Sequence, residues 1–143
     1  MVVPQTVTNA GTLSGKVDTK GFDYAQISLV SGTVAASDIP TVMRISEDDT
    51  AHSAFTAGTV ITNFVGGTAT STTVGFVIPA PVTTDGGTYS AQFNVDLRGR
   101  KRYLAIEFSP ITTHTLSVDC NLYRGDEAPI GTTKANVLVQ VNG

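Results

Sequence analysis

Four of the nine lysines and arginines fall within five consecutive positions, Arg98-Gly99-Arg100-Lys101-Arg102. A guanidinium is a planar fork that grips a carboxylate or phosphate through two parallel hydrogen bonds. Arg98, Arg100 and Arg102 alternate with Gly99 and Lys101, a spacing that can turn three such forks to one side of an extended chain. The chemistry on offer is anion recognition. It can be directed outward, at an acidic patch of a partner or a neighbouring subunit, or inward, at Asp96 or Glu107 of the same chain. A bland use also exists, since a charged tip deters edge-to-edge strand pairing. Taking the four from nine leaves five bases against twelve acidic residues. The cluster is therefore a local positive site on a chain of net charge −3.

Other chemistry-bearing residues are sparse. His52 and His114, with Glu47, Asp48 and Asp49, supply metal-ligand types, but no pair has HxH or HExxH spacing and the acidic run lacks the order of a calcium loop. We read both histidines as solvated loop residues and Glu47-Asp48-Asp49 as a charged turn, so no metal and no cofactor is expected. Gly66-Gly67 and Gly86-Gly87 sit in neither a GxxxxGK nor a GxGxxG frame and read as loop glycines. Arg124-Gly125-Asp126 spells an integrin-recognition tripeptide, three common residues that arise in turns by chance. No nucleophile stands beside a base and no carboxylates are paired, so an enzyme is not expected. The single cysteine, Cys120, continues the alternation Leu116, Val118, Cys120, Leu122 and is expected to be a buried, chemically quiet core residue.

The elements that must position these residues are strands. Apolar side chains recur at every second position in Ala25, Ile27, Leu29, in Met43, Ile45, in Phe93, Val95, Leu97 and in Leu104, Ile106, Phe108. The last two sets flank the cations, so residues 89–108 read as a β-hairpin with a cationic tip. Further strands are expected over residues 58–65, 72–78, 115–123 and 136–141, separated by Gly66-Gly67, Pro79-Ala-Pro81 and Asp85-Gly86-Gly87. Residues 47–55 read as a loop. Residues 1–16, rich in Thr, Gly, Ser and Val, read as an N-terminal arm or edge strand, and 17–143 as one β-sandwich domain. About eight short strands and no amphipathic helix give an all-β class: an antiparallel, jelly-roll-like β-sandwich.

Composition narrows the function. At 143 residues the chain suits one domain with a real core. Charged residues make up only 15%, well below the ~25% of an average soluble domain, and hydroxyl residues fill the difference. General nucleic-acid binding is not expected without a basic face. No run approaches the ~18 apolar residues of a membrane helix, and the N-terminus lacks the charged start and apolar run of a signal peptide. Synthesis in the cytoplasm without export is the expectation.

With the strands placed, Gly21-Phe-Asp-Tyr-Ala25 and Ile27-Ser-Leu29, then Met43-Arg-Ile-Ser-Glu-Asp-Asp49, then Asn94-Val-Asp-Leu-Arg-Gly-Arg-Lys-Arg-Tyr-Leu104 resemble small head decoration, or cement, proteins of tailed bacteriophages. The resemblance covers about residues 16–110 and rests on the order and wording of these segments. It implies a jelly-roll-like virion subunit, commonly a homotrimer, that sits on the outside of an icosahedral shell and bridges copies of the major capsid protein. Under it, Arg98, Arg100, Lys101 and Arg102 are expected to contact the capsid or a neighbouring subunit. A carbohydrate-binding or host-adhesion β-sandwich is the alternative. It would ordinarily present aromatic platforms to sugars, whereas Trp is absent and the four Tyr lie mostly in strands.

Overall fold

Alternating apolar side chains become strands because only a pleated backbone can turn all of them to one buried face. The computed structural model describes residues 1–34, 40–51, 58–64, 67, 68, 73, 75, 87–125 and 137–142. Among them the strands are β1 (Val2–Val7), β2 (Leu13–Asp18), β3 (Tyr24–Val34), β4 (Pro40–Asp48), β5 (Thr59–Val60), β6 (Asn63–Phe64), β7 (Gly67–Thr68), β8 (Gly87–Asp96), β9 (Tyr103–Pro110), β10 (His114–Tyr123) and β11 (Val137–Asn142). A five-stranded sheet runs β1-β10-β3-β8-β11 and a four-stranded sheet runs β2-β9-β4-β5, with β6 and β7 as a separate small pair. All these strand pairs are antiparallel.

Set β6, β7 and β11 aside, and the pairs β1/β10, β2/β9, β3/β8 and β4/β5 are those of one long two-stranded ribbon. Folding that ribbon so that successive pairs fall in alternate sheets produces a jelly roll, the architecture expected from the strand number. One corner joins β1/β10 to β2/β9, where the Ala10 amide donates to Pro110 O and the Ser109 hydroxyl to Gly11 O. A second joins β2/β9 to β3/β8. Residues 97–102 belong to this second corner. The cationic stretch is therefore not the tip of a hairpin: β8 pairs with β3 and β11, β9 with β2 and β4, and the chain crosses from one sheet to the other between them. Both flanking alternations face inward as read. Alternation reports a strand's buried face, not its partner.

The two inner faces meet as lanes of side chains. Val2, Val118, Leu29 and Ala91 register across the five-stranded sheet, and Leu13, Phe108 and Met43 across the four-stranded one. All seven are buried, as are Ile27, Ile45, Phe93, Val95, Leu97, Leu104 and Ile106. Fully burying a side chain of this size contributes ~1.5–3 kcal/mol. Residues 1–16 supply edge strands to both sheets, and the boundary after residue 16 falls inside β2. The sheet edges are drawn together where the Val2 side chain packs on Gly15, leaving no room there for a Cβ.

Four other readings change. His114 is not a solvated loop residue. It opens β10, faces inward two positions before Leu116, and is fully buried beside Phe108, with ring centroids 5.7 Å apart. Glu47 and Asp48 belong to β4 rather than to a loop, and His52 lies outside the described residues. The strand expected over 58–65 is two short pieces, β5 and β6, and of residues 72–78 only Thr73 and Gly75 are described. Cys120 keeps its inward register opposite Ile27 but is half-buried, because β1 pairs with β10 only from Val118 to His114 and leaves this part of β10 as an edge.

Burial still raises the Cys120 thiol to about 11, leaving roughly one thiolate in three thousand molecules near pH 7.5. Native protein should therefore react with a maleimide far more slowly than urea-unfolded protein at that pH. Equal rates would contradict the register of β10.

At the first corner Gly11 N donates to Thr8 O, closing a turn in which Ala10 has φ 57°. A side chain at that left-handed position costs ~1 kcal/mol relative to glycine. Ala10→Gly should raise the unfolding free energy by about 0.5–1 kcal/mol, offset in part by unfolded-state entropy, read by urea denaturation; a loss of stability would contradict the turn assignment.

Candidate functional site

The second corner is built from two turns lying side by side. In one, Phe22 N donates to Thr19 O with Gly21 at φ 83°; in the other, Arg100 N donates to Leu97 O with Gly99 at φ 79°. Both glycines hold the third position of a turn that requires positive φ. The turns are stitched together by Thr19 N and Thr19 Oγ1, which both donate to Arg102 O, and by Leu97 N, which donates to Asp23 O. Asp23 N in turn donates to Tyr123 O at the end of β10. Backbone groups that leave the sheet ladders at this corner thus satisfy one another.

On this frame the cluster divides. Arg98 grips Asp96, with Nε 3.0 Å from Oδ1 and Nη2 2.7 Å from Oδ2. Arg102 grips Asp18 of β2 in the same bidentate way, with Nε 2.9 Å from Oδ1. Arg100 turns inward to Glu47, 3.6 Å away, and donates to Asn63 O. The Lys101 amide donates to Glu47 Oε2 and its ammonium to Thr59 Oγ1. Three guanidinium groups therefore reach three different carboxylates on β8, β4 and β2, rather than one common side. Of the two acids considered from the sequence, Asp96 is a partner, while Glu107 pairs with Arg44 at 2.6 Å on the outer face of the four-stranded sheet.

Exposure separates these pairs further. The Arg98 and Arg102 side chains are 57% and 44% exposed, against 23% for Arg100. Glu47 occupies the inward lane with Leu104 and Val17 at the rim of the core, so Arg100 neutralises a carboxylate that the strand period pushes toward apolar surroundings. Exposed pairs are worth little because water screens them. A half-buried acid stripped of its partner costs more.

Aromatic rings fix the direction of the exposed guanidiniums. Arg98 lies over Tyr24, 5.1 Å from the ring centroid, Arg102 over Tyr103 at 4.9 Å, and Arg124 over Phe22 at 5.3 Å. Such stacks are favourable and hold the planar group in one orientation. The sequence reading missed Asp18 and all three stacks, and it placed Glu47 in a charged turn without its pairing to the cluster. Only the corner, which brings residues 18 and 102 together, reveals them. Of the Arg124-Gly125-Asp126 tripeptide, Arg124 is stacked and Gly125 N donates to Asp23 Oδ2, while Asp126 lies outside the described residues.

No group of three or more His, Cys, Asp or Glu among the described residues is placed to hold a metal ion. His114 lies at the end of the sandwich away from the cation-bearing corner. What the corner can do chemically is present hydrogen-bonded ion pairs on a backbone cross-linked by its own hydrogen bonds. No protein-family model matches the chain, and no curated protein does either.

The ion pairs carry a pH signature. Hydrogen bonds from the Arg102 side chain, then from the Lys20 amide, hold the Asp18 carboxyl at about 2, below its ordinary 3.8. Asp96 is lowered in the same direction, first by the Arg98 side chain, while Asp96 and Asp18 raise Arg98 and Arg102 above their ordinary values. A carboxyl depressed in the folded state stabilises the fold fully above its unfolded value and loses that contribution as pH falls through the folded one. The Asp18 contribution is therefore complete above 3.8 and disappears toward pH 2. Thermal melts should show a drop across that window that is smaller in Asp18→Asn than in the parent; an identical acid limb in the variant would remove the pair from the stability account.

Proposed function

We propose that the chain is a non-enzymatic virion structural protein, a head decoration protein that binds the outside of a tailed-phage capsid and braces it, acting as a homo-oligomer of three subunits. The observation that carries this reading is where the phage-like segments lie. Gly21-Phe-Asp-Tyr-Ala25, Met43 to Asp49 and Asn94 to Leu104 are far apart in sequence. They converge on one end of the jelly roll, where Tyr24 registers with Asp96, Asp48 with Tyr103, and Glu47 meets Arg100. The wording that resembles decoration proteins thus includes core positions such as Ile45, Val95 and Leu104 and also the ion-paired corner at their ends.

Two features support association over chemistry. The corner offers geometry, charge and aromatic support, the ingredients of specific docking. The N-terminal side offers a surface that another copy can meet without repulsion, because residues 1–15 contain no charged side chain and Val3 on the edge strand β1 is 76% exposed. Contacts of modest strength suffice on a repeating shell, since neighbours linked to one another gain avidity.

Purified protein should co-sediment saturably with phage heads that lack a decoration protein, and light scattering should report a defined oligomer. Arg98→Gln with Arg102→Gln leaves the Arg100–Glu47 pair intact, so the fold should persist while binding slows and loses salt dependence. Failure of the parent protein to bind heads, together with binding on a glycan array, would replace this function by sugar recognition. Unchanged rate and salt dependence in the double variant would confine the two arginines to a structural role.

A further inference from the structure

Arg124 differs from the other arginines. Arg44, Arg98, Arg100 and Arg102 each hold a carboxylate of their own chain, Glu107, Asp96, Glu47 and Asp18 respectively. Among the described residues Arg124 has no carboxylate partner; its contact is the Phe22 ring, 5.3 Å from its guanidinium carbon. It is exposed, yet held at its root. Tyr123 O accepts from Asp23 N at 2.9 Å immediately before it, and Gly125 N donates to Asp23 Oδ2 at 3.1 Å immediately after it. Gly21 leaves room for the guanidinium: a Cβ at that position would lie 3.3 Å from Arg124 Nη2.

We propose that Arg124, placed over Phe22, is a docking anchor for a carboxylate of a partner protein, and that the contact surface of the corner extends from Arg98 and Arg102 to this residue. A guanidinium held over a ring has lost part of its rotational freedom before any partner arrives, which lowers the cost of forming a bidentate pair. Arginines held in this way are over-represented among residues that dominate interfaces. The partner is an acidic protein surface by charge complementarity: Arg98, Arg102 and Arg124 are exposed guanidiniums of this corner and suit single carboxylates, whereas a nucleic acid calls for a continuous basic face, which a chain of net charge −3 does not offer here. The inference rests on the capsid reading and names its chemistry: an acidic side chain on the outer face of the shell seated against Arg124.

The test compares the parent, Arg124→Ala, Arg124→Lys and Phe22→Leu for binding to heads lacking a decoration protein, at two salt concentrations, with melting temperature and oligomer size measured in parallel. Arg124→Ala should weaken binding about 10-fold, the order expected of one charge-assisted bidentate contact, with the melt and oligomer unchanged. Arg124→Lys should rescue little, since an ammonium neither stacks flat nor forks, and Phe22→Leu should fall between. Parent protein that binds while Arg124→Ala binds equally well overturns the anchor alone. A changed oligomer size with unchanged head binding of the assembled form also overturns it, assigning Arg124 to the subunit contact. Parent protein that fails to bind heads overturns the capsid reading and the anchor with it.

Discussion

The structure depends on how a two-stranded ribbon turns from one sheet into the other at Thr19 and Leu97. At such a corner the strands leave their ladders, and every freed amide and carbonyl must find another partner or remain unsatisfied at a cost. Here the two chains of the ribbon solve the problem together, since Thr19 bonds Arg102 O and Leu97 bonds Asp23 O. Those bonds lock the register of β2 on β9 and of β3 on β8 at their shared ends. A one-residue slip in either pair would turn its whole apolar set outward. The lanes through Phe93 and Ile106 therefore face each other because the corner is fixed, and the arginines sit where they do for the same reason.

Much of the framework was legible in the sequence because period-2 alternation is a local signal. Ala25, Ile27 and Leu29 mark β3, Met43 and Ile45 mark β4, and Leu116 and Val118 mark β10 without knowledge of any other strand. Pairing is not local. Phe93-Val95-Leu97 and Leu104-Ile106-Phe108 look the same whether they belong to one sheet or face each other across two, so the stretch between them reads as a hairpin although it is a corner. His114 shows a signal that was present but unused. It continues the inward series Leu116, Val118 back by one step, and a polar residue type outweighed the pattern. Cys120 shows the converse, with its face legible and its depth not, since depth depends on how far β1 extends along β10.

The site was legible as composition and hidden as geometry. A run of four cations on an acidic chain stands out, and Asp96 beside Arg98 is visible in the sequence, but the acids that answer Arg100 and Arg102 are brought near only by the fold: Glu47 meets Arg100, and Asp18 lies 84 residues from Arg102. A charge count along the chain sees an excess where the folded molecule has balance. The balance is not uniform in strength. Arg100 and Glu47 are locked together at the rim of the core, whereas Arg98 and Arg102 share their acids with water and can share them with a partner at little cost.

That difference bears on which surface is suited to contact. The free edge of β1 is uncharged and carries an exposed valine, which by itself invites strand pairing, but it is also blunted: Pro4 removes a donor, and the register shifts between Val2 and Gln5. A strand interrupted in this way resists the continuous edge pairing that leads to uncontrolled association. The corner has the opposite character. Its freed backbone groups bond one another, its guanidiniums are oriented by Phe22, Tyr24 and Tyr103, and its exposed ion pairs lie outside the core. For the proposed role on a repeating shell, which calls for binding in one orientation without polymerisation through the sheets, an end that carries exposed, oriented ion pairs is better suited than an open strand edge.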